Sequence, residues 1–265
     1  MASINKFEIR KERFGDLLEK LQDLSQISDT VKIRFEAGSM MAYSLVSSDT
    51  AALCLKVYFL ATEDYLSGFP GERCHDFVMY PAPKSVKSLR FFAESERIRV
   101  DMSHRPSHED EAVMHVRSMS VHTPAAKGDR LRISLVGAEL SKIRDLKKSA
   151  LESRMDPARS TWGFELTQGD LATVKRLAGI NGEDRTVSIS VVGGLVYFSE
   201  EGRWNLQVAQ SDRPDKRVTF AKKYLSHFDT RPEKLQVNMF ESFILVSTGD
   251  SRLLLSFETD FTNED

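Results

Sequence analysis

With 265 residues, two cysteines and a formal net charge of −2, the chain is long enough for one large or two medium domains. It has too few thiols for a disulfide framework, and it is not a polycation that coats nucleic acid over its whole surface. Its 41% hydrophobic and 29% charged residues are those of an ordinary folded protein. The longest apolar runs, such as Ala51–Leu55, fall far short of the roughly 20 residues that a membrane span needs. The opening MASINKFEIRKERF contains no signal-peptide core, so a cytoplasmic protein without a membrane partner is expected.

In chain order, Phe7–Ile9 reads as a strand and Lys11–Ile27 as a helix with Phe14, Leu17, Leu18, Leu21 and Leu24 on one stripe. Three β-branched, alternating runs follow at Thr30–Glu36, Met40–Val46 and Ala51–Leu60. A loop rich in Gly, Pro and acid leads to a strand at His75–Tyr80 and, after Pro81-Ala82-Pro83, to a helix over Lys84–Ala93. Strands at Arg97–Ser103, Ala112–Ser120 and Arg130–Val136 close a second copy of the same β-α-β-β-β unit.

Residues 137–160 break the pattern and carry a run of basic residues, which marks a linker. Beyond it the unit returns: a strand at Trp162–Leu166, a helix opened by Thr167-Gln168-Gly169-Asp170, and strands at Thr186–Val192, Leu195–Ser199 and Trp204–Gln210. Gly193-Gly194 is a hairpin turn. The fourth copy has a helical pattern in TFAKKYLSHFD and strands at Lys234–Phe240, Phe243–Thr248 and Arg252–Glu258. Domains are therefore expected at 1–136 and 161–265, joined by the linker at 137–160.

Each helix buries one face and offers the other. On three of the four the offered face is basic: Lys84, Lys87 and Arg90 on the second, Lys175 and Arg176 on the third, Lys222 and Lys223 on the fourth. On the first, Glu12, Asp16, Glu19 and Asp23 occupy the centre of the outward face, with Arg13 and Lys20 on its flank. Three basic faces in one sense point to an anionic partner.

The repeat, together with Asp170–Gln210 and VTFAKKYLSHF (Val218–Phe228), resembles the two-domain DNA sliding clamps, proliferating cell nuclear antigen and its tailed-phage counterparts. The resemblance implies an α+β clamp fold of two similar domains, each from two β-α-β-β-β repeats, with helices lining a ring and sheets outside. It implies three chains per ring around double-stranded DNA, a DNA polymerase and a clamp loader as partners, a phage-like source in a host cytoplasm, and no catalysis. The DNA contacts implied are Lys84, Lys87, Arg90, Lys175, Arg176, Lys222 and Lys223, with Arg13 and Lys20 from the first helix. A partner-peptide pocket is implied at Leu45, Val46, Ile143, Leu146, Phe257 and Phe261. Ring closure is expected through the edges Ala112–Ser120, with Val113, His115 and Arg117, and Leu195–Ser199, with Leu195 and Tyr197.

No phosphate loop, nucleophile elbow, zincin or paired C-x-x-C motif is present in the sequence. His104 and His108 have helical metal-ligand spacing, but Arg105-Pro106-Ser107 between them opposes a helix, so neither a metal nor a cofactor is expected. The competing classes are a β-rich structural ring or scaffold of a virion that binds no DNA, an enzyme on the repeated scaffold, and a monomeric processivity factor.

Overall fold

The computed structural model describes residues 3–36, 38–47, 52–71, 73–106, 113–125, 128–139, 142–179, 186–213 and 215–257. In order, these form β1 (Ser3–Ile9), α1 (Lys11–Ile27), β2 (Val31–Glu36), β3 (Ser39–Ser47), β4 (Ala52–Ala61), the single turn α2 (Thr62–Tyr65), β5 (Leu66–Ser67), β6 (Cys74–Met79) and α3 (Ala82–Leu89). Then come β7 (Ile98–Pro106), β8 (Val113–Ala125), β9 (Gly128–Val136), α4 (Lys148–Arg154), β10 (Trp162–Thr167) and α5 (Gln168–Gly179). The last elements are β11 (Thr186–Val192), β12 (Leu195–Glu200), β13 (Trp204–Gln210), β14 (Lys216–Ala221), β15 (Lys234–Met239), β16 (Phe243–Thr248) and β17 (Ser251–Ser256).

The chain divides into two compact units, one made of Met1–Val46 with Lys56–Lys148, the other of Ser47–Leu55 with Ser149–Asp265. In the first unit the strands run in the order β4-β3-β2-β6-β8-β7-β1-β5, and β9 pairs with β8. The consecutive pairs β2–β3, β7–β8 and β8–β9 are antiparallel, as short connections dictate, and the long-range pairs β1–β7 and β2–β6 are antiparallel too; β6 and β8 are the parallel exception. In the second unit, β10-β15-β16-β17 form one antiparallel series and β13-β12-β11-β14 another. The β11–β12 hairpin turns on Gly193 and Gly194 at φ +58° and +80°, a pair of left-handed residues that matches the twist of the flanking strands.

Helix α1 follows its stripe: Phe14, Leu17, Leu21 and Leu24 are buried in the core of the first unit with Val86 and Leu89 of α3, and Ile27 is buried at the helix end. Leu24 is fully buried, so Leu24→Ala would cost about 2–5 kcal/mol. Helix α5 starts with a reciprocal cap. Asp170 N donates to Thr167 Oγ1 at 3.1 Å, and Thr167 Oγ1 donates back to Asp170 Oδ2 at 2.6 Å.

Three elements differ from the sequence reading. The helix expected over Lys84–Ala93 starts at Ala82, passes into a 3-10 turn at Arg90–Phe92, and leaves Ala93 exposed. The fourth helical pattern splits: Lys216–Ala221 pairs with β11 as strand β14, and only Lys222–His227 coils, as a 3-10 helix. Pairing of β-branched Val218 and Thr219 with β11 outweighs the helical spacing of the aromatic residues. The strands expected to be edges are interior among the described residues. β8 lies between β7 on one side and β6 and β9 on the other, and β12 lies between β11 and β13. The edges beside them are β9 and β13.

Candidate nucleic-acid interface

The acidic stripe of α1 is largely consumed inside the first unit. Lys20 is buried and bonds Asp16 Oδ1 at 2.5 Å, while Tyr65 donates its phenol to the other Asp16 oxygen. Fully buried Lys56 meets Asp23 Oδ2 at 2.6 Å, and the Tyr58 phenol donates to that same oxygen. Two carboxylates that an ideal wheel places toward solvent thus compensate two buried ammonium groups, which could not be desolvated alone. Lys20 is therefore corrected from a candidate DNA contact to a core ion pair. Arg13 stays exposed, with its guanidinium 5.9 Å from the centre of the Tyr65 ring. Glu12 and Glu19 remain at the surface of the helix.

Helix α3 packs beside α1 and keeps its cations out. Lys84, Lys87 and Arg90 are all exposed, while Ala82, Val86 and Leu89 face the core. Arg90 Nη2 donates to Gln22 Oε1 of α1, which ties the end of α3 to its neighbour and fixes the guanidinium at the surface.

In the second unit the basic set divides. Arg176 on α5 and Lys223 on the 3-10 helix are exposed, and the Lys223 ammonium lies 5.2 Å from the centre of the Tyr224 ring. Lys175 is half-buried and donates to the Phe228 carbonyl at 2.7 Å, capping the chain where the 3-10 helix ends. Lys222 is buried at 7% exposure, because a 3-10 helix turns by three residues and brings Lys222 to the side of buried Leu225. Lys222 is therefore corrected to an interior position. Of the candidate DNA contacts, those presented to solvent are Lys84, Lys87, Arg90, Arg176, Lys223 and Arg13.

No protein-family model matches the sequence, and no curated protein matches it either. Solved structures do. The DNA polymerase III subunit beta of Borrelia burgdorferi, in complex with a natural product, superposes with a TM-score of 0.67 at 9% identity, over 97% of this chain and 66% of that one. The DnaN sliding clamp of Pseudomonas aeruginosa bound to griselimycin gives 0.62 at 12% identity, over 99% and 67%. A further structure of the Pseudomonas aeruginosa subunit beta gives 0.63 at 13% identity, over 98% and 66%.

The chain has the sliding-clamp fold.

It spans about two thirds of the length of the sliding clamps it matches. Among the described residues of this clamp fold, no helix is long and apolar enough to cross a membrane, and no group of three or more His, Cys, Asp and Glu is placed to hold a metal. His104 is buried in β7, its ring 4.8 Å from that of His75, while His108 lies outside the described residues.

Of the candidate pocket residues, Leu45 and Val46 are half-buried at the end of β3 and Ile143 is buried. Leu146 is half-buried, and its backbone donates to the Tyr43 phenol at 3.2 Å and accepts from Arg34 Nη1 at 3.3 Å. Phe257, in the second unit, is half-buried, and Phe261 lies outside the described residues. Of the candidate closure residues, His115 is buried, Val113, Leu195 and Tyr197 are half-buried, and Arg117 is exposed. All five sit on the interior strands β8 and β12, so their backbones are already paired within the chain or flanked by paired residues.

Sequence reasoning missed the charge cluster that fastens residues 144–146. Lys32, at 1% exposure, bonds Asp76 at 2.9 Å and Asp145 at 2.5 Å; Arg34 grips Asp76 through two 2.8 Å bonds and Asp145 through a third. Burial alone would lower the Arg34 pKa, but the bonds and charges of Asp76 and Asp145 raise it. Burial raises the Asp145 carboxyl, and Lys32 and Arg34 outweigh it, so the net direction is down. The available signal was the pair Lys32 and Arg34, two cations at i and i+2 on one face of a strand flanked by Val31, Ile33 and Phe35.

Proposed function

We propose that this chain is a DNA sliding clamp: three copies close into a ring around duplex DNA and tether a DNA polymerase, without catalysing any reaction. The observation that carries the reading is the clamp fold over nearly the whole chain. The exposed cations of α3, α5 and the 3-10 helix support the DNA-facing assignment. Two domains per chain require three chains where a clamp with three domains needs two, in keeping with the length relation above.

The chemistry asked of such a ring is modest. Duplex DNA carries one charge per ~1.7 Å of axis, so Lys and Arg at the ends of mobile side chains neutralise phosphates without reading bases and exchange them as the ring slides. The internal pairing of Asp16 and Asp23 removes two repulsive charges from the surface of α1. A loader that opens the ring and partner peptides docking near Leu45, Val46 and Leu146 belong to the same reading.

The test is topological. The protein is assembled at high concentration on a circular plasmid and on the same plasmid cut once, and each mixture is passed through a sizing column at about 0.15 M salt. A clamp co-elutes with the circle and is lost from the cut DNA. Equal retention on both would show ordinary basic-surface binding, and no retention on either would favour a scaffold that binds no DNA.

A further inference from the structure

Three buried histidines, His75 of β6, His104 of β7 and His115 of β8, meet at one corner of the first unit, where β6 and β8 begin and β7 ends. The backbone fastening there is slight. β6 and β8 pair in parallel, Cys74 with Val113, His75 with Met114 and Asp76 with His115, and a parallel ladder is the weaker kind per residue. β7 reaches β8 through a register shift at Ser103 and His104, and Pro106 brings no N–H to its pair with Met114. Side chains must therefore hold much of this corner.

They hold it as neutral rings. The His75 and His104 rings lie 4.8 Å apart, edge to face, with the Phe69 ring 5.7 Å from His75. His75 Nδ1 donates to the Arg73 carbonyl and Nε2 accepts from Asn5 Nδ2 of β1, each at 2.9 Å; the charged groups near it are Arg73 and, across the strand, Asp76. His104 is opposite Ser3 of β1 and Val116 of β8, and the charge beside it is again Arg73. Successive side chains of a strand alternate, so Asp76 points to the other face, where its register partner is His115. There His115 meets the cations Arg105, Lys32 and Arg117 and the carboxylate of Asp76, and its Nδ1 is buried with no hydrogen bond among the described residues. A proton is unwelcome at each site. On His75 it aims a donor at the Asn5 amide nitrogen, on His104 it adds charge beside Arg73 and His75, and on His115 it joins three cations around a carboxylate that Lys32 and Arg34 already hold. Burial and these neighbours lower all three pKa values.

We propose that the three histidines form a proton-operated clasp: as they protonate, the corner of β6, β7 and β8 opens to water while the rest of the first unit stays folded, and residues 144–146 loosen with it. The link to residues 144–146 is Asp76, which lies next to His75 and compensates Lys32 and Arg34, the two cations that grip Asp145. Opening the run that carries Asp76 therefore disturbs the whole cluster. The closed corner holds its histidines neutral, whereas the open corner binds protons with the ordinary imidazole affinity. Closure is thus fully favoured above about pH 6.5 and is lost as the pH falls toward the depressed folded values. The clasp lies within one unit of one chain, so it does not rest on the ring reading.

The test is amide hydrogen exchange of the full chain at pH 7.5 and at pH 5.5, with each rate divided by its intrinsic rate at that pH. Protection at residues 74–76 and 113–116 should fall about ten-fold for each histidine that opens to water, and the Leu146 amide should follow. At pH 5.5 this protection should lie below that of Leu21 and Leu24 in α1, and β16, in the unit without these histidines, should keep its protection. His115→Gln replaces a ring whose Nδ1 has no partner, and should make the fall at the corner about ten-fold smaller. His104→Phe, which keeps an aromatic ring against His75, should do the same and serves if the first variant does not fold. Equal protection at the corner and in α1 at both pH values would show that the unit opens only as a whole, and would overturn the clasp. An undiminished fall in a folded variant would overturn the part given to that histidine.

Discussion

Arg34 and Asp145 stand 111 residues apart in sequence and 2.8 Å apart in space, joining β2 to the segment that follows β9. Asp76 and Lys32 complete the cluster, and the Tyr43 phenol donates to the Arg144 carbonyl at 2.9 Å. A segment that reads as a linker is thus held along residues 144–146 by the first unit. This positions Leu146 and the neighbouring chain independently of any partner.

The two carboxylates of the cluster have different tasks. Asp76 is buried at 1% exposure, so Asp76→Asn leaves Lys32 and Arg34 short of charge and is expected to cost about 3–5 kcal/mol in urea unfolding. Asp145 has a side chain half open to water, which screens its charge, so Asp145→Ala should change global stability much less. Its readout is local: faster hydrogen exchange at the Leu146 amide, which the Tyr43 phenol now protects. Equal global losses for both variants would contradict this division.

Stability should fall as the pH drops below about 6.5. His75, His104 and His115 are all buried, and burial is the leading cause that lowers each pKa, with nearby His104, Arg73 and Arg105 respectively adding to it. The Arg73 carbonyl can only accept, so His75 Nδ1 donates to it at 2.9 Å, and Nε2 accepts from Asn5 Nδ2, an arrangement that suits the neutral ring. The unfolded chain therefore binds more protons than the folded one below the ordinary histidine pKa. The stability is fully present above it and is lost as the pH falls toward the depressed folded values. Urea midpoints measured from pH 7.5 to 5.0 should decline, and His75→Gln should flatten the slope.

The buried and exposed lysines should separate cleanly. Lys20→Ala leaves Asp16 without its ammonium and Lys222→Ala empties a buried position, so both should lower the melting temperature. Lys84→Glu with Lys87→Glu, and Lys223→Glu, should leave melting nearly unchanged and weaken retention on circular DNA about ten-fold or more. Melting is followed by circular dichroism and retention by the plasmid column assay.

The cap on α5 offers a smaller, local check. Thr167→Ala removes the reciprocal bonds with Asp170 and should cost about 1 kcal/mol, whereas Thr167→Ser should restore most of it. Chemical unfolding of the three proteins tests the order.

The repeat, the strand order along the chain and the bounds of α1 were legible because alternation and helical stripes record which face is buried. Lys11–Ile27 and Phe243–Thr248 were read at the residues where they occur. Sheet order was not legible, since pairing of β9 on β8 or β14 on β11 is a long-range choice, and the edges were accordingly placed one strand too far inward. The buried lysines escaped for a related reason. Lys20 and Lys222 sit where an ideal wheel meets solvent, and only Asp16 in one case and the three-residue turn in the other bring them inside. Phe91 and Phe92 did carry a sequence signal, because two adjacent aromatic residues at a helix end cannot both face the same core.

The most direct test of the ring is the solution mass of the unaltered protein, measured by light scattering across a sizing column at several concentrations. The clamp reading predicts a species of three chains that persists on dilution into the micromolar range. A mass of one chain at every concentration would contradict it.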